Sequence, residues 1–172
     1  MRPNTPLKNF LYKPFSITQF RIFNAHIIHS MSKSIKLSIE PYFEFFLIGF
    51  VTSEPLYRLS WLINEMLEIQ LKETAPIKAY HPKRLIIQEF SLFQFIGEDN
   101  TRFQLFQNKN MHGHLIEEQK QADYWLKIED SSISIEYFIL KLKTIKNINL
   151  IFEVKPGSLK SKLRLLFSDD KN

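Results

Sequence analysis

The chain has no cysteine and only four glycines among its 172 residues. The lack of cysteine excludes disulfides, thiolate zinc sites and a cysteine nucleophile, and it agrees with a reducing cytoplasm. The four glycines are too far apart to form a glycine-rich phosphate loop, and the chain has no G-x-S-x-G elbow. Several large enzyme classes are therefore excluded, and the sequence predicts no cofactor.

Long apolar runs are also missing. No apolar stretch reaches the ~18 residues that a membrane-spanning helix requires. The longest candidate, Phe45 to Val51, has the length of a strand. We therefore expect no membrane span and a cytoplasmic protein.

Acidic residues are absent from the first 39 positions, which hold six of the 23 lysines and arginines. Residues 40–172 hold 17 basic and 18 acidic residues, so their net charge is −1. The basic character therefore belongs to the N-terminal segment, and the rest of the chain has no general attraction to a phosphate backbone. Nucleic-acid binding would depend on a basic N-terminal arm, and the composition argues against it.

Met31 opens the stretch MSKSIKLSIE, which reads like a natural protein start followed at once by a strand. Residues 1–30 are then either a basic arm or targeting peptide, or an over-extended start, in which case translation properly begins at Met31. We favour the over-extended start. The expected organisation is a basic extension over residues 1–30 and a single α+β domain over residues 31–172.

Apolar periodicity predicts the strands. Residues 35–40 alternate with period two, and residues 42–51 read as a central strand covered on both faces. Residues 85–96 and 102–107 flank the turn GEDNT and predict a hairpin. Further strands are expected at residues 123–129 and 148–154. Two prolines in residues 69–84 favour a short strand or a loop, and residues 108–114 read as a loop.

Two helices are expected. The first follows Ser53 as its N-cap, and the second covers residues 130–147. Their apolar residues recur at helical spacing, which gives each helix one buried face; they are Leu56, Leu59, Ile63 and Met66 in the first helix and Ile135, Phe138, Leu142 and Ile145 in the second. Two helices with about six antiparallel strands predict an α+β fold, with both helices on one sheet face. The two strand–helix–strand units are those of a ferredoxin-like fold with extra strands.

The stretch LIEEQKQADYWLKI, residues 115–128, resembles the signature of the IPExxxVDY family of small uncharacterised bacterial proteins. Four positions match the family pattern: Ile116, Glu118, Asp123 and Tyr124. Glu117 replaces the family's Pro, and Ala122 replaces its Val. The resemblance extends over residues 33–167. It implies no reaction, because the family is defined by its sequence pattern.

Two hypotheses remain for the matched acids. A carboxylate just before a strand accepts backbone N–H bonds and fixes a turn. Alternatively, Glu118 and Asp123 form an acid/base pair in a pocket, if burial raises one pKa. We favour the structural hypothesis, because five residues of loop fix no geometry between two catalytic groups.

Three further side chains are candidates with weaker patterns. Arg58, on the first helix, is expected either to pair with Glu118 or Asp123 across the fold or to be an exposed arginine. His112 and His114 would point to one side of an extended segment and could bind a divalent metal with a nearby glutamate. No metal motif supports this, so no metal site is assigned.

These observations favour a non-catalytic binding domain whose partner is an unknown protein, a second copy of the chain or a small ligand. The first alternative is an enzyme or ligand-binding protein with a pocket beside residues 114–124. The second alternative is nucleic-acid binding through the basic arm.

Overall fold

The computed structural model describes residues 43–81 and 84–167. Within them, two α-helices and eight strands follow one another along the chain, with two short 3-10 helices at Pro156–Ser158 and Lys162–Leu165. The helices are α1 (Leu56–Leu67) and α2 (Ile135–Leu142). The strands are β1 (Phe45–Thr52), β2 (Lys72–His81), β3 (Ile86–Ile96), β4 (Arg102–Gln107), β5 (Lys109–Asn110), β6 (Gly113–His114), β7 (Tyr124–Glu129) and β8 (Ile148–Glu153).

Six of the strands form one antiparallel sheet in the order β2-β3-β4-β7-β1-β8. The strands β7 and β8 both flank β1, and α2 connects them across it. The part of the sheet ordered β8-β1-β7-β4 therefore has the arrangement of a ferredoxin-like fold, which β3 and β2 extend. The predicted α+β class, with an antiparallel sheet of about six strands, is confirmed.

One face of the sheet packs against the helices and forms the helical-side core. Strand side chains that point to this face meet both helices, and α1 also contacts α2. The buried residues of this core include Ile48, Phe50, Leu126 and Ile128 from the strands and Leu59, Ile63, Phe138 and Leu142 from the helices. The two helical stripes that the sequence predicts therefore face the sheet, because helical period places them on one side.

The opposite face forms a second core, to which neither α-helix of the described chain contributes. Phe45, Leu47 and Trp125 alternate with the helical-side residues along β1 and β7, so they point to this face. Two irregular segments cover them: residues 115–123, which we call the cover loop, and residues 154–167, the C-terminal segment. Both faces of the central strands are thus buried, as their continuous apolar sequence predicts.

The segment 69–84 differs from expectation, because it contains the ten-residue strand β2 at one end of the described sheet. Only Ile77 and Ala79 of this strand are buried, and its pairing with β3 slips between Thr74 and Ile77. Pro76 lies within this irregularity, where a missing N–H does least harm. Because few residues of β2 are buried and a bulge interrupts the strand, its sequence does not show the alternation of apolar and polar residues that is typical of a strand.

Smaller differences have local causes. The first helix begins after Pro55, so Ser53 is not its N-cap. The second helix is only eight residues long. It begins after the turn in which Asp130 adopts a positive φ, and residues 143–147 form turns and a bend in place of its expected last turn. The segment 108–114 is not a plain loop, since it contains the β5–β6 hairpin.

Two predictions lie outside the described residues: the strand at 35–40 and the boundary between residues 1–30 and 31–172. Neither helix of the described chain is long and apolar enough to cross a membrane.

Candidate functional site

The cover loop carries the motif that the sequence singles out. It leaves β6, crosses the second core and enters β7 at Tyr124. Leu115 and Ile116 have no exposed surface, and Ala122 is almost fully buried. The polar residues between them face outward, with Glu117 and Glu118 exposed. The loop is therefore attached to the sheet by apolar side chains at both of its ends.

Asn108 holds the backbone of the cover loop in place. Its side-chain amide donates to the carbonyl oxygens of Gln119 and Ala122 at 2.9 and 2.8 Å, and its Oδ1 accepts the N–H of Ile116 at 3.0 Å. Its backbone carbonyl accepts the N–H of Leu115 at 2.7 Å. Asn108 has no exposed surface, so these bonds satisfy loop groups that water does not reach.

Glu118 joins the cover loop to the C-terminal segment. Its two carboxylate oxygens accept the backbone N–H and the hydroxyl of Ser161, each at 2.8 Å. Partial burial raises the pKa of the Glu118 carboxyl, but hydrogen bonds from Ser161 and from the backbone N–H groups of Glu118 and Lys160 outweigh it. The pKa therefore lies below its ordinary value. The carboxylate form is the one that this joint stabilises.

Glu117, which stands where the family pattern has proline, makes a second contact to the same segment. Its carboxylate forms an ion pair with Arg164 at 3.0 Å. Arg164 also donates to the carbonyl of Leu115 at 3.1 Å. Glu117 therefore adds a contact between the cover loop and the C-terminal segment. Its side chain is 51% exposed, so the contribution of the ion pair to stability is small.

Asp123 lies at the other end of the loop and has a different partner. Its Oδ2 accepts the backbone N–H of Thr52 at 2.9 Å, and its own N–H donates to the carbonyl of Phe50 at 2.8 Å. The Thr52 hydroxyl donates to the carbonyl of Asn147, and the Asn147 side chain donates to Glu54. Asp123 thus belongs to a network that joins the end of β1 to the connection between α2 and β8.

Tyr124 follows directly and starts β7. Its ring packs against the helical-side core, on the opposite face from the cover loop. Burial, and to a lesser extent the charge of Asp123, raises the pKa of its hydroxyl. The side chain is therefore a core residue at the start of a strand.

Only one of the two acids lines the depression beside the cover loop in the described part of the chain. An open depression of about 460 Å³ lies between the cover loop and the C-terminal segment. It is lined by Glu117, Glu118, Lys120, Lys160, Ser161, Leu163 and Arg164. Glu118 is present, but Asp123 is not. An acid/base pair of Glu118 and Asp123 in one pocket has no support in this geometry.

Arg58 forms no ion pair with Glu118 or Asp123 among the described residues. Its guanidinium stacks on the ring of Trp61, 4.5 Å from the centroid, and both side chains are exposed on α1. Of the two alternatives for Arg58, the structure shows the one that the sequence favours, an exposed arginine, and not the contact across the fold. The helix places residues 58 and 61 on neighbouring positions of one face, and the stacking follows from this spacing.

The histidines sit in the β5–β6 hairpin. His112 is exposed, and Arg84 donates to its carbonyl at 2.7 Å. Burial, followed by the charges of Lys109 and Lys120, lowers the pKa of His114. Gly113 has a φ of +141°, so the two histidines are not in one regular extended segment. Within residues 43–81 and 84–167, no three histidine, aspartate or glutamate side chains form a metal-binding group.

Lys127 is a buried cation that was not predicted from the sequence. Its side chain is 2% exposed, and its Nζ contacts Glu129 at 2.8 Å and donates to the carbonyl of Leu165 at 3.0 Å. The rings of Phe45 and Phe167 lie within 5 Å of the same nitrogen. Lys127 therefore ties the end of the C-terminal segment to β7.

Neither Asn108 nor Lys127 was singled out from the sequence. Asn108 lies at a strand end, where asparagine is ordinary, and its partners are 8 to 14 residues away. Lys127 gave one signal: it occupies a position of β7 that alternation assigns to the same face as Trp125, which is buried. Charge at an expected core position is the pattern that could have identified it.

No protein-family model, no curated protein and no solved structure matches this chain. The resemblance to the IPExxxVDY pattern therefore stays a prediction.

Proposed function

We propose that this chain is a non-catalytic interaction domain that acts in the cytoplasm and belongs with the IPExxxVDY family of bacterial proteins. The match at Ile116, Glu118, Asp123 and Tyr124 supports the family, and the lack of cysteine supports the compartment.

The observation that supports the proposal is that the two motif acids, Glu118 and Asp123, bind different parts of the fold. Glu118 binds Ser161 of the C-terminal segment, and Asp123 binds the N–H of Thr52 at the end of β1. Each carboxylate is engaged by groups of the fold itself. A general acid or base needs a free carboxyl within reach of a substrate. The motif therefore acts as a structural joint between the cover loop and its surroundings.

The surface offers contacts of the kind that protein partners use. Aromatic and aliphatic side chains are exposed on both helices and on the β2–β3 hairpin. They include Tyr57 and Trp61 on α1, Tyr137 and Leu140 on α2, and Tyr80 and Ile87 on the hairpin. Aromatic residues are enriched at protein interfaces, because each buries a large area on binding.

A double-mutant cycle tests the structural role. We expect Glu118→Gln to lower the free energy of unfolding by about 0.5–1.5 kcal/mol, since it weakens charge-assisted bonds to Ser161. Ser161→Ala should also be destabilising. The double variant should lose less than the two single losses together, because both mutations remove one interaction. Chemical denaturation of the four proteins measures this coupling.

Glu117→Gln is the matched control, because Glu117 is the neighbouring acid and its side chain is half exposed. We expect a change below about 0.5 kcal/mol. Acids held for catalysis are kept at a cost in stability, so neutralising one tends to stabilise the fold. A gain in stability from Glu118→Gln would therefore contradict the proposal.

A small ligand is the second candidate, favoured by the open depression beside the cover loop. Lys120 and Lys160 line it together with Glu117, Glu118 and Arg164. Glu117 is paired with Arg164 and Glu118 with Ser161, so the two lysines are the groups that would attract an anionic ligand. A titration with inorganic phosphate, followed by NMR, should then shift the amide signals of residues 117–120 and 160–164. Unchanged spectra at millimolar phosphate would remove this candidate in its anion-binding form.

Nucleic-acid binding is the third candidate, and it depends on residues 1–30, which lie outside the described chain. The experiment compares binding of the full chain and of a chain that starts at Met31 to a nucleic acid at several salt concentrations. Binding that falls with salt and is lost in the shorter chain would support the basic arm.

A further inference from the structure

The β2–β3 hairpin extends past the end of its neighbour β4. The strand β3 pairs with β4 only from Leu92 to Ile96, whereas its pairing with β2 continues to Ile86. We call residues 77–81 and 84–91 the hairpin arm. One face of the arm is buried, because Ile77, Ala79 and Phe90 belong to the second core. We call the opposite face of the arm its upper face.

The upper face of the arm carries apolar side chains in solvent. Tyr80 and Ile87 are directly opposite each other across the two strands, and they are 57% and 66% exposed. This face continues the helical side of the sheet, since Ile87 and Phe93 are six residues apart on β3 and side-chain alternation places them on the same face. Phe93 packs against the helical-side core, but the helices do not bury Ile87.

The neighbouring cross-strand pair on the same face carries one positive and one negative side chain. Lys78 lies opposite Glu89, with 4.0 Å between Nζ and Oε1, and both side chains are mostly exposed. The face is therefore an apolar pair beside a lysine and a glutamate. A contact across a two-fold axis uses the same patch twice, so the patch must complement itself. A partner of a single charge sign would be attracted by one of these groups and repelled by the other.

We propose that the upper face of the hairpin arm binds the same face of a second copy of this chain. In a two-fold arrangement, Lys78 of each copy lies beside Glu89 of the other, and the Tyr80–Ile87 pairs pack together. The inference deepens the proposed interaction function and rests on it, because it names the partner. The face is small, so we expect a weak dimer with a dissociation constant on the order of micromolar.

The backbone of the arm is held from its other side, which leaves the upper face free to bind as a rigid surface. The Asn110 side chain donates to the carbonyl of Glu89 at 3.0 Å, and Arg84 donates to the carbonyl of His112. A rigid surface loses little entropy on association.

Charge variants of the full chain test the proposal by analytical ultracentrifugation. Lys78→Glu leaves two acids on the face, and Glu89→Lys leaves two lysines. Each variant alone should be monomeric over about 1–200 µM, a range over which a dimer with a micromolar dissociation constant goes from partly dissociated to mostly associated. An equal mixture of the two should form heterodimers, because the all-acidic face then meets the all-basic one. The mixture tests contact between chains, since each variant loses its own Lys78–Glu89 pair.

Ile87→Lys tests the apolar part, and Leu140→Lys is its matched control. Leu140 is exposed to a similar extent, at 69%, but lies on α2. We expect Ile87→Lys to raise the dissociation constant at least about tenfold and Leu140→Lys to leave it unchanged. Circular dichroism of each variant establishes that it is folded.

A wild-type chain that stays monomeric at 200 µM, on the order of a hundred times the expected dissociation constant, would overturn the inference. So would a dimer that is indifferent to Ile87→Lys, or a mixture of charge variants that does not associate. These results leave the double-mutant cycle of Glu118 and Ser161 untouched, so failure of the dimer and failure of the structural role are distinguishable.

Discussion

The carboxylate of Asp123 accepts the backbone N–H of Thr52 at 2.9 Å, across 71 residues of sequence. Thr52 is the last residue of β1, and its N–H would otherwise face a region where little solvent enters. The bond therefore ends the central strand with a side chain from the motif. It also fixes where the cover loop passes into β7.

Removal of this carboxylate should destabilise the fold. Asp123→Ala leaves the Thr52 N–H without its acceptor, so we expect a loss of about 1–3 kcal/mol in the free energy of unfolding. Asp123→Asn retains an acceptor oxygen and should cost less than about 1 kcal/mol. Urea denaturation of both variants makes the comparison. Equal losses would show that charge, rather than acceptance of the bond, is what Asp123 contributes.

Asn108→Ala should be more damaging. The change removes the acceptor of the buried Ile116 N–H and the side-chain donor to the buried Ala122 carbonyl, and it leaves the Gln119 carbonyl with only the N–H of Ala122. We expect a loss of about 3 kcal/mol. Asn110→Ala is the matched control, because the bonds of its side chain with Glu89 and His112 are exposed to water and its third bond, from the buried Gln88, is long at 3.5 Å. Its cost should stay below about 1 kcal/mol. A loss for Asn108→Ala as small as that of the control would mean that the cover loop is held by its apolar residues alone.

The joint between Glu118 and Ser161 predicts a pH dependence. The pKa of Glu118 is lowered in the folded protein, so the unfolded chain binds the proton more readily. The contribution to stability is then fully present above the ordinary value of 4.5 and is lost as pH falls through the folded-state pKa. Unfolding of wild type and Glu118→Gln between about pH 3 and 6 should show a difference that shrinks toward acid. A constant difference would contradict the linkage.

Gly49 should tolerate no side chain. A Cβ there would lie 2.6 Å from the Phe152 ring and 2.9 Å from the ring of Trp125, which is fully buried. Gly49→Ala should therefore cost about 1–3 kcal/mol through overpacking. Gly157→Ala is the control, since nothing lies within 4 Å of its added carbon. Thermal unfolding of the two variants separates the steric cost from a general effect of replacing glycine. A similar change in Tm for both variants would contradict the steric explanation.

The elements that the sequence predicts well are those whose signal is local. The apolar run of β1, the turn between β3 and β4, and the stripe of α1 depend on residues a few positions apart. The strand β2 escaped because Pro76 and a bulge break its alternation, and only Ile77 and Ala79 of the strand are buried. The second helix was predicted too long, because the positive φ of Asp130 leaves no pattern in composition.

The candidate site was predictable in position but not in its contacts. The motif marks the cover loop, yet Ser161 lies 43 residues from Glu118 and Thr52 lies 71 residues from Asp123. Partners at such distances follow from the tertiary fold. For the same reason the sequence left two alternatives open for Arg58, and the structure shows the exposed one, with the guanidinium stacked on Trp61.

Pro76 has a consequence for what happens when many copies meet. It sits in the strand at one end of the described sheet, where unpaired backbone groups invite further strands to add. A proline has no N–H to offer, and the bulge beside it twists this margin away from a straight template. Edge-to-edge addition of further copies is therefore hindered at this margin, so the dimer that we propose through the hairpin arm would close as a pair rather than extend into a fibril.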